Sequence, residues 1–212
     1  MNNYVLIKGA YNSHFRYYSQ ASQDKFIAHL FDFKKNGYFL DVGSDPPESN
    51  STFLDTQLDW SGVCIDRNVG DYSNRKHTLF LQADATTVNY ADVFNRLNFP
   101  KVIDYLSLDV DDASNIVLPL LPLTEYTFSA ITIETDAYVD ENRRKPFQRK
   151  FLTDAGFHLL CSDVWFTNPL SPAPNMYFED WWINPKTMPV EKYKFLECDK
   201  TDVKDIITRF EK

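Results

Sequence analysis

Acidic residues recur at one kind of place along this chain. Short apolar runs carry a carboxylate at or near their ends: 38–42 with Asp41, 62–65 before Asp66, 79–81 before Asp84, 103–108 before Asp109 and 128–133 before Glu134. Any one of these is ordinary, because Asp is a common helix cap and loop residue. Their recurrence at equivalent places points instead to a site at one end of a set of strands. Carboxylates crowded together can have one pKa raised toward neutrality and so act as proton acceptors, and Asp109, Asp111, Glu134 and Asp136 are the candidates. The same four are hard oxygen donors that could gather around Mg²⁺ or Ca²⁺. Their spacing matches no ligand pattern, so a solvated acidic rim is the preferred reading and no metal is expected.

The first of these turns, Asp41-Val42-Gly43-Ser44-Asp45-Pro46-Pro47, sets the ligand chemistry. Gly43 permits positive φ or a close backbone approach. The G-x-G-x-x-G pattern that cradles a dinucleotide pyrophosphate is missing, and Asp45 would set a negative charge where the phosphates lie. NAD and FAD are therefore disfavoured. A cofactor with a cationic centre and an ammonium group suits an acidic loop, which points to S-adenosylmethionine. Asp66, roughly 20 residues further on, is then placed to accept from both ribose hydroxyls.

The elements that would position these groups can be read from periodicity. Residues 22–33 carry Phe26, Ile27, Leu30 and Phe31 at helical spacing, with Ser22 as the expected cap and Asn36-Gly37 as the stop. The apolar runs alternate with helical segments at 50–58, 89–97 and 113–121, the pattern of parallel strands covered by helices. The expectation is a doubly wound α/β sheet, in which ligands bind beyond the carboxyl ends of the strands where the strand order reverses. A helix at 145–155, a strand at 157–161, a Pro-rich loop through 168–175 and a strand at 176–183 follow. Two late strands joined by a loop imply an antiparallel hairpin at a sheet edge. With no repeat and no linker, one domain is expected over 1–212: an extension and helix to residue 36, a cofactor-binding half at 37–135, and a C-terminal half from 136.

Composition narrows the partners. The chain has 212 residues and a formal charge of -8, so its field repels phosphate backbones and anionic lipid; neither nucleic acid nor membrane is an expected partner. Cys64, Cys161 and Cys198 form no metal or disulfide pattern, and no apolar run approaches the ~20 residues that span a bilayer. The sequence shows no leader segment, and a cytoplasmic location is expected. The histidines, His14, His29, His77 and His158, are scattered.

Taken together, Asp41-Val42-Gly43, the Ser49-Asn50-Ser51-Thr52 turn, Trp60-Ser61-Gly62-Val63-Cys64-Ile65-Asp66, Ile103-Asp104-Tyr105-Leu106-Ser107-Leu108-Asp109 and Ile131-Thr132-Ile133-Glu134 resemble the FkbM family of S-adenosylmethionine-dependent methyltransferases. Tyr18-Ser19-Gln20 with Gln23-Asp24, and Phe178-Glu179-Asp180-Trp181-Trp182, look like the same family, so the resemblance covers roughly residues 18–185 in order. It implies a Rossmann-like class I methyltransferase fold. Asp41 and Gly43, with Ser44 beside them, would shape the methionine pocket, and Asp66 would hold the ribose. Asp84 would accept from the adenine amine, or simply cap the helix after it. Asp109 would face the methyl donor and acceptor. Asp45-Pro46-Pro47, Asp112 and Thr135 depart from the family, and Thr135 replaces a frequent His.

For the acceptor, Tyr138 and Trp181 are the pocket candidates among the aromatics, while Trp182 is expected in the core. Arg143-Arg144-Lys145 with Arg149 and Lys150 reads as a solvated helix start, or as an attractor for an anionic acceptor. The leading expectation is methyl transfer to a hydroxyl of a small molecule or glycan. A degenerate methyltransferase fold serving as a binding or scaffold protein is the alternative, and a nucleotide-sugar or dinucleotide enzyme a further one.

Overall fold

The computed structural model describes residues 15–46, 49–135, 137, 143–166 and 176–211. In chain order the elements are α1 (Gln23–Leu30), β1 (Tyr38–Val42), α2 (Thr52–Leu58), β2 (Ser61–Asp66), β3 (Thr78–Gln82), α3 (Tyr90–Arg96), β4 (Val102–Leu108), α4 (Ser114–Val117), β5 (Thr127–Glu134), α5 (Lys145–Asp154), β6 (His158–Val164), β7 (Glu179–Ile183), α6 (Val190–Tyr193), β8 (Cys198–Asp199) and α7 (Val203–Thr208). The strands form a single sheet in the order β3-β2-β1-β4-β5-β7-β6-β8. Every pairing is parallel except those of β7, which runs against both neighbours. The chain winds outward from β1 in one direction and from β4 in the other, so the strand order reverses between β1 and β4.

Helices cover both faces, and side-chain alternation decides which residue meets which layer. One face packs Phe26 and Ile27 of α1 and Phe53 of α2 against Cys64, Tyr105 and Trp181, with Ile206 of α7 closing the layer. The other packs Phe94 of α3 and Leu152 of α5 against Leu40, Leu106, Ile131 and Trp182. The adjacent Trp181 and Trp182 thus enter opposite layers. Among the described residues no helix is long and apolar enough to cross a membrane.

Several expectations need correction. Ser22 makes no side-chain cap; its backbone is left-handed with φ 59°. The start of α1 is held instead by Asp24, which accepts from the Tyr18 amide at 2.6 Å, while the Ser19 hydroxyl accepts from the Asp24 amide at 2.8 Å. The helix stops at Leu30, before Asp32 and Phe33 turn left-handed. The helix expected over 113–121 is short, because Pro119 has no amide to continue the ladder, and 3-10 turns at Asp111–Ala113 and Leu118–Leu120 flank α4. The antiparallel pair is present, but β7 lies inside β6, and the two-residue β8 forms the outer edge. The Pro-rich loop at 168–175 lies outside the described residues.

Candidate functional site

A cavity of about 380 Å³ opens at the carboxyl ends of the parallel strands, on the β1/β4 switch point. Its wall is made by Gly43 after β1, Ile65 to Asn68 at the end of β2, Ala83 and Ala85 after β3, and Asp109 to Ala113 after β4. The volume falls within the ~300–1,000 Å³ of small-molecule sites. Four carboxylates, Asp66, Asp109, Asp111 and Asp112, meet one guanidinium, Arg67, in the lining. Such a lining favours a cation.

The backbone explains why these tips converge. Gly43 has φ +84°, and a Cβ there would lie 1.5 Å from the Asp109 carbonyl oxygen. The Gly43 amide donates to the Ile65 carbonyl at 2.8 Å and the Asp109 amide to the Val42 carbonyl at 2.9 Å. Glycine at 43 therefore lets β4 close onto β1, as well as lining the cavity. Asp111 adopts φ +46°, a left-handed conformation that Asp tolerates better than most residues, and this turns the loop around the cavity rim.

The predicted site residues separate into three groups. Gly43, Asp66 and Asp109 line the cavity together. Asp66 commits one oxygen to the Asn68 amide at 2.7 Å, an Asx turn that fixes the carboxylate at the mouth. Asp41 and Ser44 are buried and stand outside the lining. The Asp41 carboxylate accepts from the hydroxyls of Ser49 and Ser51, each at 2.6 Å, and Ser44 donates to Ser49 at 2.9 Å. Arg75 closes this network by donating to Ser49 at 2.7 Å. These residues brace the loop behind the cavity.

Asp84 is found as a cap. It accepts from the Thr86 amide at 2.9 Å and the Thr86 hydroxyl at 2.7 Å, bonds that hold its carboxyl below the usual range, with Arg67 3.4 Å away. Its neighbours Ala83 and Ala85 line the cavity while its own side chain does not. Glu134 ends β5 outside the lining. Trp181 is wholly buried, stacks on Phe26 at 4.1 Å between centroids, and lines no cavity; the expected acceptor contact gives way to core packing. Asp136 and Tyr138 lie outside the described residues. Among the described residues no group of His, Cys, Asp and Glu could hold a metal ion.

The basic segment is not a solvated helix start. Lys145 pairs with Asp163 at 2.7 Å, and Arg149 grips the fully buried Asp180 through two bonds of 2.7 and 2.9 Å. Arg144 pairs with Asp112. This segment ties α5 to β6, β7 and the cavity rim.

Sequence reading passed over Arg67, Asn68, Asp111 and Asp112, although each directly follows a strand-end carboxylate. It also passed over Glu179, whose signal was a carboxyl set inside an aromatic strand. Glu179 is buried and accepts from Trp181 Nε1 at 2.6 Å. Burial pushes its carboxyl up to about 8, the Trp181 bond opposes this, and the charge of Asp109 adds to it.

No protein-family model matches the chain, and no curated protein matches it. Solved structures do. A precorrin-6y C5,15-methyltransferase from Geobacter metallireducens aligns with a TM-score of 0.50 at 10% identity, over 82% of this chain and 95% of that one. A protein described as a candidate ribosomal RNA methyltransferase from Plasmodium falciparum aligns at 0.48 and 17% identity, over 79% and 97%. M. jannaschii TYW2, solved in complex with AdoMet, aligns at 0.46 and 13%, over 78% and 75%. At these identities the likeness is one of fold: the chain has the Rossmann-like methyltransferase fold, a mostly parallel open sheet with one antiparallel strand near its edge.

Proposed function

We propose that this protein is an S-adenosylmethionine-dependent methyltransferase acting on a hydroxyl of a small molecule or glycan. The observation that carries this is the acidic cavity at the switch point of a methyltransferase fold. S-Adenosylmethionine would supply a sulfonium-bound methyl group, and the donor set fits it. Asp66 stands at the end of β2 with an oxygen left for the ribose hydroxyls, and Asp109 faces the same space from β4. Asp111 and Asp112 add negative charge at the rim, suited to an ammonium.

In-line methyl transfer asks the protein mainly for positioning. Asp109, anchored through its amide to β1, would orient the acceptor hydroxyl and take its proton as the new O–C bond forms. Glu134 and Asp136, at and just beyond the end of β5, remain the other candidates for proton transfer. Tyr138 remains the acceptor-pocket candidate. The ordered motifs quoted above support membership of the FkbM family. The absence of a linker supports one domain over 1–212, and the free thiols of Cys64, Cys161 and Cys198 support a cytoplasmic location. The acidic charge of -8 opposes an RNA acceptor, even though one protein of similar fold bears a ribosomal RNA methyltransferase description.

Calorimetry with S-adenosylmethionine and S-adenosylhomocysteine is the test. Micromolar binding of both, followed by methyl transfer to a hydroxyl compound in an acceptor panel, is the expected result. Folded protein that binds neither nucleoside refutes the proposal, and binding without transfer to any acceptor favours the scaffold reading.

A further inference from the structure

Beyond the cavity, the sheet presents a second line of polar groups on the α1/α2 face. Backbone register places Asp41, Ser107, Thr132 and Trp181 level with one another across β1, β4, β5 and β7. Side chains two residues further along each strand share that face and stand at the strand tips. They are Gly43, Asp109, Glu134 and Glu179. Glu134 and Glu179 are direct cross-strand partners. Asp109 continues β4 one residue beyond the Leu108–Ile133 pair, which brings it level with Glu134. Carboxyls therefore run from the cavity wall at Asp109 across β5 to the buried Glu179.

The environment of Glu179 is built for a carboxyl that is kept. Trp181 Nε1 donates to its Oε2 at 2.6 Å, and Thr132 and Gln23 turn toward the same group. Thr132 is in turn 2.8 Å from the Tyr105 hydroxyl, and burial first, then the Glu179 charge, hold Tyr105 as a neutral phenol. The groups facing Glu179 are thus Asp109 and Tyr105 from β4, Thr132 and Glu134 from β5, Trp181 from its own strand and Gln23 from α1. From β6 the register partner is Val164. The charges close to Glu179 are negative, and Asp109 is the one that bears on it and also touches the cavity.

We propose that Glu179 is a positioning residue for methyl transfer. It keeps the proton of a two-carboxyl pair with Asp109, so that Asp109 alone presents negative charge to the methyl donor and can accept the acceptor's proton. This rests on the methyl-donor reading of the cavity. Two carboxylates so placed do not both ionise near neutral pH, and the more buried member holds the proton. When the cationic sulfonium is bound, the second ionisation becomes easier; with the neutral thioether of S-adenosylhomocysteine it does not.

Trp181 reports the state of Glu179 through its indole N–H. In the full chain, the ¹⁵N indole resonance that disappears in Trp181→Phe is followed from pH 5 to 10. The wild type should inflect near 8, and Asp109→Asn should move the inflection down by about one pH unit or more, because the like charge is gone. The inflection should lie lower in the S-adenosylmethionine complex than in the S-adenosylhomocysteine complex. Independently, the ratio of the two affinities should rise about tenfold from pH 6.5 to 9.5 in the wild type and stay flat in Glu179→Gln, which preserves the shape and the Trp181 bond. An inflection unmoved by Asp109→Asn overturns the proposal, as does a Glu179→Gln ratio that still follows the wild type. Binding of both nucleosides with equal inflections overturns the proposal alone. Binding of neither overturns the methyl-donor reading and the proposal with it.

Discussion

Asp66 shows how one residue can be both a local structural device and a binding group. One carboxylate oxygen closes an Asx turn onto the Asn68 amide, and the side chain lines the cavity at the end of β2. A carboxylate accepting ribose hydroxyls makes charge-assisted bonds of ~1.5–3 kcal/mol. Asp66→Ala should therefore weaken S-adenosylhomocysteine binding on the order of tenfold to a hundredfold in calorimetry, with a melting temperature close to that of the wild type. Unchanged affinity would make Asp66 a turn residue only. Asp84 gives the contrast, since both of its bonds to Thr86 are local and its side chain stays off the cavity wall.

At the scale of elements, α5 is fastened to the antiparallel strands by charge more than by its apolar stripe. Asp180 is fully buried in β7, gripped by Arg149 and bonded to the Asp163 amide at 2.9 Å. Removing one member of such a pair strands the other without compensation, at a cost of about 3–5 kcal/mol. Arg149→Ala should show this loss in urea unfolding, because it leaves the Asp180 carboxylate buried. Lys150→Ala removes an exposed pair with Asp154 on the same helix and should change stability by no more than about 0.5 kcal/mol. Equal effects of the two variants would show that burial does not set the value of the α5 ion pairs.

For the whole molecule, the buried carboxyl of Glu179 links folding to pH. Its pKa is raised from 4.5 to about 8, first by burial and then by the Asp109 charge, so the native state holds a proton that the unfolded chain has lost. The stability it contributes is complete below about 4.5 and is lost as pH rises through about 8. Measured against Glu179→Gln, the wild type should lose up to roughly 4 kcal/mol of unfolding free energy between pH 5 and 8.5. A difference between the two proteins that does not vary with pH would mean that Glu179 does not keep its proton in the fold.

Local patterns in the sequence were enough for much of this architecture. Apolar runs bounded by turns marked β1 to β5, because a strand buried on both faces leaves no room for polar residues, and the strand-end rule then located the cavity from Asp66, Asp109 and Gly43. The positive φ and close approach at Gly43 were also legible, since only glycine fits there, although the group that approaches is the Asp109 backbone. Three-dimensional proximity was not legible. Arg75 reaches Ser49 across 26 positions, Arg149 reaches Asp180 across 31, and Asp109 meets Glu179 only because β7 folds back antiparallel beside β5. Trp181 and Trp182 look alike in the chain, and strand alternation sends them into opposite layers, leaving neither on the cavity wall. Residue type and spacing therefore determined which chemistry the chain carries. Which carboxyl faces the cavity, which braces a loop and which keeps its proton was decided by tertiary structure, because burial and neighbouring charge act through space and leave no periodic trace in the sequence.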